Sequence, residues 1–265
     1  MKLFSTVLLL LTVGTFGHAQ QTDYCDPDLC AGENGPHIMC DGQDTTSMSD
    51  DCGSGAVERP LGAEHRALIV DMHNRIRSKV AMGQQNYTRS KYLPQAVRMA
   101  TMRWDAELAA MAAANARRCQ NEHDACHNTK KYPTSGQNLA TQSFEGKKIP
   151  DDTVLIKGFI NDWFSEHRYA DPALVARYPE NYDGPDVGHF TQLVRDRCTA
   201  VGCAMVRFKD ASKWTTQYMV CNYAITQLEN KPVYVAGAAC SKCTTGCNSK
   251  YPGLCSVEEK ILPKP

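Results

Sequence analysis

The segment GHFTQLVRDRCTAVGC, which runs from Gly188 to Cys203, carries an imidazole close to two thiols. The His189 side chain could act as a general base, as a ligand for a metal ion, or only as a packing residue. The two cysteines could form disulfides or, in a reducing compartment, bind zinc. Which chemistry applies depends on where the protein folds and on the elements that position the histidine.

An apolar leader at the amino terminus indicates export. Residues 1–19 combine one cationic side chain, an apolar run that begins at Leu3 and a small-residue pattern that ends at Ala19, which is typical of a secretory signal peptide cut after Ala19. The run is too short to span a bilayer as a helix, and no later segment is apolar for long enough. We therefore expect a soluble, secreted, extracellular protein without a membrane span.

Charge and cysteine content narrow the partners and the compartment. Without Lys2 of the leader, the 29 acidic side chains outnumber the basic ones by one, which argues against nucleic acid or an anionic membrane as the partner. An oxidising compartment would join the 13 cysteines in at most six disulfides and leave one thiol over. The tail segment Cys240-Ser-Lys-Cys243 also has zinc-ligand spacing, but disulfide pairing competes for the same thiols.

Hydrophobic periodicity predicts helices first and strands later. Residues 20–62 are rich in Cys, Asp, Gly and Ser and predict a disulfide-linked, loop-rich extension packed on the main body. Helices are predicted from Glu64 to about Gly83, across WDAELAAMAAANARRC with Asp105 as its cap, and across PDDTVLIKGFINDWFSEHR with Asp151 or Asp152 as its cap. The segment YADPALVARYPENYDGPDVG predicts a surface connection, whereas AVGCAMVRF and TQYMVCNYA predict an antiparallel hairpin. Helices before strands indicate an α+β fold.

Several of these segments together resemble the CAP superfamily, which comprises cysteine-rich secretory, antigen-5 and pathogenesis-related proteins. The similarity lies in HNRIR, MRWDAEL, CQNEHDAC, SGQNLA, GHFTQLV, VGCA and YMVCNYA, in this order. YCDPDLC and CTTGCNSKYPGLC are similar to the insect antigen-5 branch of venom and salivary allergens, so the resemblance covers about Tyr24 to Cys255. It implies a disulfide-rich, three-layer α-β-α sandwich around a three-stranded antiparallel sheet, with a CAP domain at residues 63–235 and a cysteine-containing tail at residues 236–265.

The resemblance also implies a central cleft that holds two histidines and two acids. Carried over by motif, the histidines are His123 and His189, one acid is Glu166, and the second acidic position holds Gln137, as it often does in antigen-5 proteins. His123, Glu166 and His189 could bind Zn²⁺ or Cu²⁺. An amide at residue 137 in place of a carboxylate removes a negative charge and a strong metal ligand. A metal should therefore bind weakly, and no cofactor is required. The same side chains could instead form a hydrogen-bonded polar cluster.

A hydrolytic reaction would need a serine nucleophile beside this histidine and glutamate. Ser165 lies directly before Glu166 and would point about 100° away from it on a helix, whereas Ser135 lies in the turn-like TSGQN. Neither serine lies in a strand-turn-helix nucleophile elbow, and the chain has no GxSxG motif. Hydrolysis therefore ranks third among the candidate functions.

The leading interpretation is a non-enzymatic, monomeric, secreted binding protein. CAP proteins are known to bind fatty acids, sterols or leukotriene-like molecules between helices, so the expected partner is a small hydrophobic, lipid-like mediator or an extracellular protein. The apolar faces within residues 68–80 and 155–164 could line such a site, although stripes of this kind are more often core. The alternative is Cu- or Zn-dependent redox chemistry, such as superoxide removal, with His123 and His189 as ligands.

The resemblance to antigen-5 proteins implies five disulfides. The expected pairs are Cys25 with Cys40, Cys30 with Cys126, Cys52 with Cys119, Cys203 with Cys221, and Cys243 with Cys255. Cys198, Cys240 and Cys247 remain, so either Cys198 reaches one tail cysteine and the other stays free, or the leftover thiol bridges to another molecule.

Other polar residues carry simpler expectations. Asn86 begins the sequon Asn-Tyr-Thr and is an expected glycosylation site. His73 is expected to pack and hydrogen-bond within the first helix, whereas His127 and His167 are expected on the surface.

Overall fold

The computed structural model describes residues 22–146, 148–209 and 212–263, so the expected signal peptide lies outside the described residues. Its long strands are β3 (Gly136–Phe144), β4 (Ala200–Lys209) and β5 (Thr215–Tyr223). β5 runs antiparallel to both neighbours, and Cys203 lies opposite Cys221 across β4 and β5. The predicted hairpin and the three-stranded core sheet are therefore confirmed.

Two short strands extend this sheet beyond the three that were expected. β1 (Val57–Glu58) pairs antiparallel with β4, and β2 (Arg103–Trp104) pairs parallel with the start of β4. A strand of two residues is too short to show an alternating pattern in the sequence. Through β1, the amino-terminal extension joins the central sheet.

Helices cover both faces of the sheet and complete the α-β-α sandwich. Even-numbered residues of β4 and β5, such as Val206 and Val220, share a core cluster with α2 (Ala106–Ala116). Odd-numbered residues, such as Met205 and Met219, belong to the main core with α1 (Ala63–Ala81), α3 (Asp152–Ser165) and α5 (Gly188–Val194). Because side chains alternate along a strand, both faces of these strands are buried.

Two of the three predicted helices begin at the caps that the sequence indicates. Asp105 accepts hydrogen bonds from the backbone amides of Glu107 and Leu108 at the start of α2, and Asp151 accepts one from Thr153 at the start of α3. None of the helices in the described ranges is long and apolar enough to cross a membrane.

The expected irregular surface connection is wrong in one part. The helix α4 (Pro172–Ala176) lies there, and its Leu174 and Val175 are buried. The preceding predicted helix ends earlier than expected, because Glu166–Tyr169 form a 3₁₀ turn. Five residues do not show a helical period in the sequence, but Asp171 caps the backbone amide of Leu174 and Pro172 suits the first turn.

Six disulfides connect cysteines of the described ranges. They are Cys25–Cys40, Cys30–Cys126, Cys52–Cys119, Cys203–Cys221, Cys240–Cys247 and Cys243–Cys255. All except Cys240–Cys247 are pairs that the resemblance implied. Both alternatives for Cys198 need correction, because Cys240 pairs with Cys247 and Cys198 is a free thiol with no exposed surface. The four tail cysteines pair with one another, and a fully buried thiol cannot bridge to another molecule.

Candidate functional site

A cleft of about 490 Å³ opens where β3 begins, at the edge of the sheet. Neighbouring residues of this strand face opposite sides, so the cleft reaches both helical layers. His123, from the loop after α2, and His189, from α5 in the other layer, both line it. Gly136 allows α5 to lie close to β3, because a Cβ atom at this position would collide with the side chain of Gln192 in α5.

His189 is held by a carboxylate and an indole. Its Nδ1 donates to Oε1 of Glu166 at 2.6 Å, and Oε2 of Glu166 accepts from the backbone amide of Phe190 at 3.0 Å. The ring stacks on Trp163 with 6.1 Å between centroids. A neutral imidazole that donates through Nδ1 keeps its remaining lone pair at Nε2, and the carboxylate fixes the direction of that lone pair.

His123 is held by the glutamine that replaces the expected acid. Oε1 of Gln137 accepts from Nδ1 of His123 at 2.8 Å. Nε2 of Gln137 donates to Asp124 at 2.6 Å and to Asn222 at 3.0 Å. Because both N–H groups of the amide are engaged, its oxygen faces His123, and the amide orients this ring as Glu166 orients the other.

Asp124 is a site residue that the sequence analysis missed. Its side chain is 2% exposed and also accepts from Nδ1 of His127 at 2.6 Å and from Asn115 at 2.9 Å. Burial alone would raise the pKa of Asp124, but the charge and hydrogen bond of His127, with the bonds from Gln137 and Asn115, lower it to about 2. Its position beside His123 in CQNEHDAC was the only signal in the sequence.

The expected surface position of His127 is wrong, whereas His167 is partly exposed. His127 is 8% exposed, because the disulfide of Cys126 holds the extension over this loop. His167 packs against Phe164 and Phe190, with ring centroids 4.9 and 6.3 Å away. His73 is fully buried, as expected.

The three expected metal ligands do not form one group. Within residues 22–146, 148–209 and 212–263, no three or more His, Cys, Asp or Glu side chains are arranged to hold a metal ion. Glu166 directs its oxygens at His189 and at the backbone of Phe190, so it positions a ring of the cleft. The imidazoles of His123 and His189 remain as candidate donors.

The two candidate serine nucleophiles have other partners. The hydroxyl of Ser135, which lines the cleft, donates to the backbone oxygen of Tyr132 at 3.1 Å. The hydroxyl of Ser165 donates to the backbone oxygen of Asp162 at 2.8 Å. A serine activated by histidine would instead donate to an imidazole.

Fold and site together define a disulfide-linked α-β-α sandwich with a histidine cleft at the edge of its sheet. Residues 70–223 match the cysteine-rich secretory protein family, CAP, and the chain belongs to this family. The resemblance seen in the sequence is thus confirmed.

The similar proteins include mosquito allergens. Venom allergen-1 of Aedes albopictus is 37% identical over 258 residues, which cover 97% of this chain and 96% of that protein. Venom allergen-1 of Aedes aegypti is 39% identical over 239 residues, covering 90% and 89%. Among solved structures, "Crystal structure of NaASP2 with Zn2+" is 29% identical with a TM-score of 0.62, covering 74% of this chain and 97% of that one. The disulfides fit an extracellular protein.

Proposed function

We propose that the protein is a secreted, non-enzymatic and monomeric binding protein that captures an extracellular ligand in the cleft between His123 and His189. One observation carries this proposal: each of these rings donates through Nδ1 to a fixed acceptor. Two Nε2 lone pairs of one cleft are therefore oriented by Gln137 and Glu166 before a ligand arrives. A site that is organised in advance loses little conformational entropy on binding.

A binding role also agrees with the hydroxyl groups near the cleft. Ser135 and Ser165 donate to main-chain oxygens, so neither is paired with a histidine base. The hydrolase hypothesis therefore lacks a nucleophile that supports it.

The lipid-like ligand that the family resemblance implies has less support than a polar one. The apolar residues that were expected to line it, such as Ile76, Leu155 and Phe159, are buried in the main core. Fatty acid retained in an organic extract of the purified protein would restore this alternative.

Zn²⁺ or Cu²⁺ binding is a second candidate, favoured by the same two nitrogen donors. Borderline metals accept imidazole ligands, and hydrogen bonds to Nδ1 strengthen such ligands. His123 and His189 would hold the ion, and Gln137 would add no charge, so a weak site is expected. A bound metal would supply a Lewis acid or, as copper, a one-electron redox centre. The similarity to NaASP2, whose crystal structure was solved with Zn²⁺, agrees with this candidate.

Calorimetric titration with Zn²⁺ tests the cleft as a binding site. Protein prepared without a metal-affinity column should bind zinc, and His123→Gln or His189→Gln should weaken binding about tenfold or more. His65→Gln, a change in α1 outside the residues that line the cleft, is the matched control. Native mass spectrometry of the same preparations would detect a ligand that copurifies. If both cleft variants retain zinc and every copurified molecule unchanged, the cleft is not the binding site.

A further inference from the structure

Asp124 lies behind the glutamine that holds His123, and its carboxylate offers only acceptors. The side chain is 2% exposed. Oδ1 accepts from Nδ1 of His127 at 2.6 Å, whereas Oδ2 accepts from Nδ2 of Asn115 at 2.9 Å and from Nε2 of Gln137 at 2.6 Å. With three donors around its two oxygens the carboxylate carries no proton, so each of these contacts has one possible direction.

Asn115 cannot turn to offer its oxygen to Asp124. Its Nδ2 also donates to the backbone oxygen of Glu122 at 3.0 Å, and its Oδ1 accepts from the hydroxyl of Tyr218 at 2.7 Å. A reversed amide would place its oxygen against the oxygens of Glu122 and Asp124, inside a buried network. The position of Oδ2 in residue 124 therefore requires an acceptor.

The amide of Gln137 is held from two sides. One N–H group donates to Asp124 and the other to Oδ1 of Asn222 at 3.0 Å, while Nδ2 of Asn222 faces the backbone oxygen of Leu108 at 3.5 Å. Reversing Gln137 alone would place its oxygen against the oxygens of Asp124 and Asn222. Its Oε1 therefore faces His123, whose Nδ1 donates, and the lone pair of the neutral ring lies at Nε2.

We propose that Asp124 is a positioning residue that acts through Gln137 and keeps the lone pair of His123 at Nε2, where the cleft can use it. This inference rests on the proposed function, because it explains how one nitrogen of the same cleft is prepared for a ligand. Asn222 is the weaker of the two acceptors, since it can turn over at the cost of one long contact. Without an acceptor at residue 124, Gln137 and Asn222 can reverse together, and Gln137 then donates to Nδ1 of His123. The ring would then carry its proton at Nε2.

Two substitutions at residue 124 remove the same charge but differ in what they offer to Gln137. Asp124→Asn keeps an oxygen at the position of Oδ2, because Asn115 and Gln137 both donate there. Its nitrogen then faces His127, whose neutral ring can accept at Nδ1. Asp124→Leu is similar in size and offers no acceptor. Glu122→Leu removes an exposed charge from the same loop and is the matched control for net charge.

Long-range proton–nitrogen correlation spectra show which nitrogen of a ring carries the proton. They are recorded on the full-length, metal-free protein at about pH 8, above the usual pKa of an imidazole. We expect His123 to be protonated at Nδ1 in the native protein, Asp124→Asn and Glu122→Leu, and at Nε2 in Asp124→Leu. A residue that only supports the fold would not move the proton of a ring to which it is not hydrogen-bonded.

Calorimetric titration with Zn²⁺ supplies a second readout. The lost charge should weaken zinc binding to a similar extent in Asp124→Asn and Asp124→Leu, whereas the lost lone pair should weaken it about a further tenfold in Asp124→Leu alone. If Asp124→Leu fails to fold, Gln137→Glu tests the same contact. It places a carboxylate where Nε2 of Gln137 lies 2.6 Å from Asp124, so the midpoint of denaturant unfolding should fall, and adding Asp124→Asn should raise it again.

The outcomes distinguish this inference from the proposed function. A native His123 protonated at Nε2, an unchanged proton position in folded Asp124→Leu, or equal measurable zinc affinities of Asp124→Asn and Asp124→Leu would overturn the role of Asp124. A Gln137→Glu protein as stable as the native one would overturn it as well. If the proton positions are as expected but no zinc binds and nothing copurifies, the proposed function fails and the role of Asp124 stands.

Discussion

Acid should destabilise this protein through His73, a fully buried histidine of α1. His73 has no exposed surface; its Nδ1 donates to the backbone oxygen of Ile69 at 2.7 Å, and its Nε2 accepts from the hydroxyl of Tyr223 at 3.0 Å. Burial lowers the pKa of His73 from 6.5 to about 4. The folded protein therefore keeps a neutral ring at a pH where the unfolded chain binds a proton.

The sign and size of the effect follow from this difference in proton binding. Because the folded pKa lies below the unfolded one, the contribution of His73 to stability is full above about pH 6.5 and is lost as the pH falls toward about 4. The expected loss is about 2 kcal/mol at pH 5 and about 3 kcal/mol at pH 4, relative to pH 7.5. These values are a substantial fraction of the net stability of most domains, which is about 5–15 kcal/mol.

Denaturant unfolding at pH 7.5 and pH 5 measures this loss. His73→Gln keeps a donor and an acceptor but does not titrate, so the variant should be less stable at pH 7.5 while losing about 2 kcal/mol less than the native protein between the two pH values. His65→Gln, in the same helix but partly exposed, should leave the difference unchanged. Identical losses in the native protein and His73→Gln, or an NMR titration midpoint of His73 near 6.5, would refute the reasoning.

Three further changes have outcomes that can be measured simply. Arg77→Met leaves the backbone oxygens of residues 100, 193, 195, 196 and 198 without their shared guanidinium donor, so denaturant unfolding should show a loss of more than about 3 kcal/mol. Cys198, whose burial raises the pKa of its thiol, should react with a thiol reagent only after unfolding, and Cys198→Ala should remain a monomer on a non-reducing gel. Asn86→Gln should abolish the mass shift that a glycosidase causes in protein secreted by insect cells, whereas an unshifted native protein would contradict glycosylation there.

Local signals predicted much of the fold. Asp105 and Asp151 mark helix starts because a short side chain with an acceptor binds free amides within three residues, which is a property of the local sequence. The β4–β5 hairpin was predicted because two apolar, β-prone segments of the sequence are joined by a polar turn. The sequence did not predict α4 or the strands β1 and β2. Each contains five residues or fewer, which is too few for a hydrophobic period to appear.

The residues of the cleft were predicted less completely. The resemblance to a family named His123, Gln137, Glu166 and His189, since motifs carry positions that periodicity does not. Neither the motifs nor the pattern indicated that Asp124 anchors Gln137 or that His127 is buried beside them. Both facts depend on contacts between segments that are distant along the chain, such as the bond from Gln137 of β3 to Asp124 and the extension that a disulfide ties to Cys126.

The sequence by itself indicated an oxidising compartment and determined the capped helices, the hairpin and the kinds of side chain available for chemistry. These features depend on composition and on neighbours along the chain. Only the tertiary structure decided that His123 and His189, which come from opposite layers, share one cleft at the edge of β3. It also decided which nitrogen of each ring is free, since the partner of Nδ1 comes from residues 14 and 23 positions away. Such contacts form when layers pack together, and no local pattern encodes the packing of distant segments.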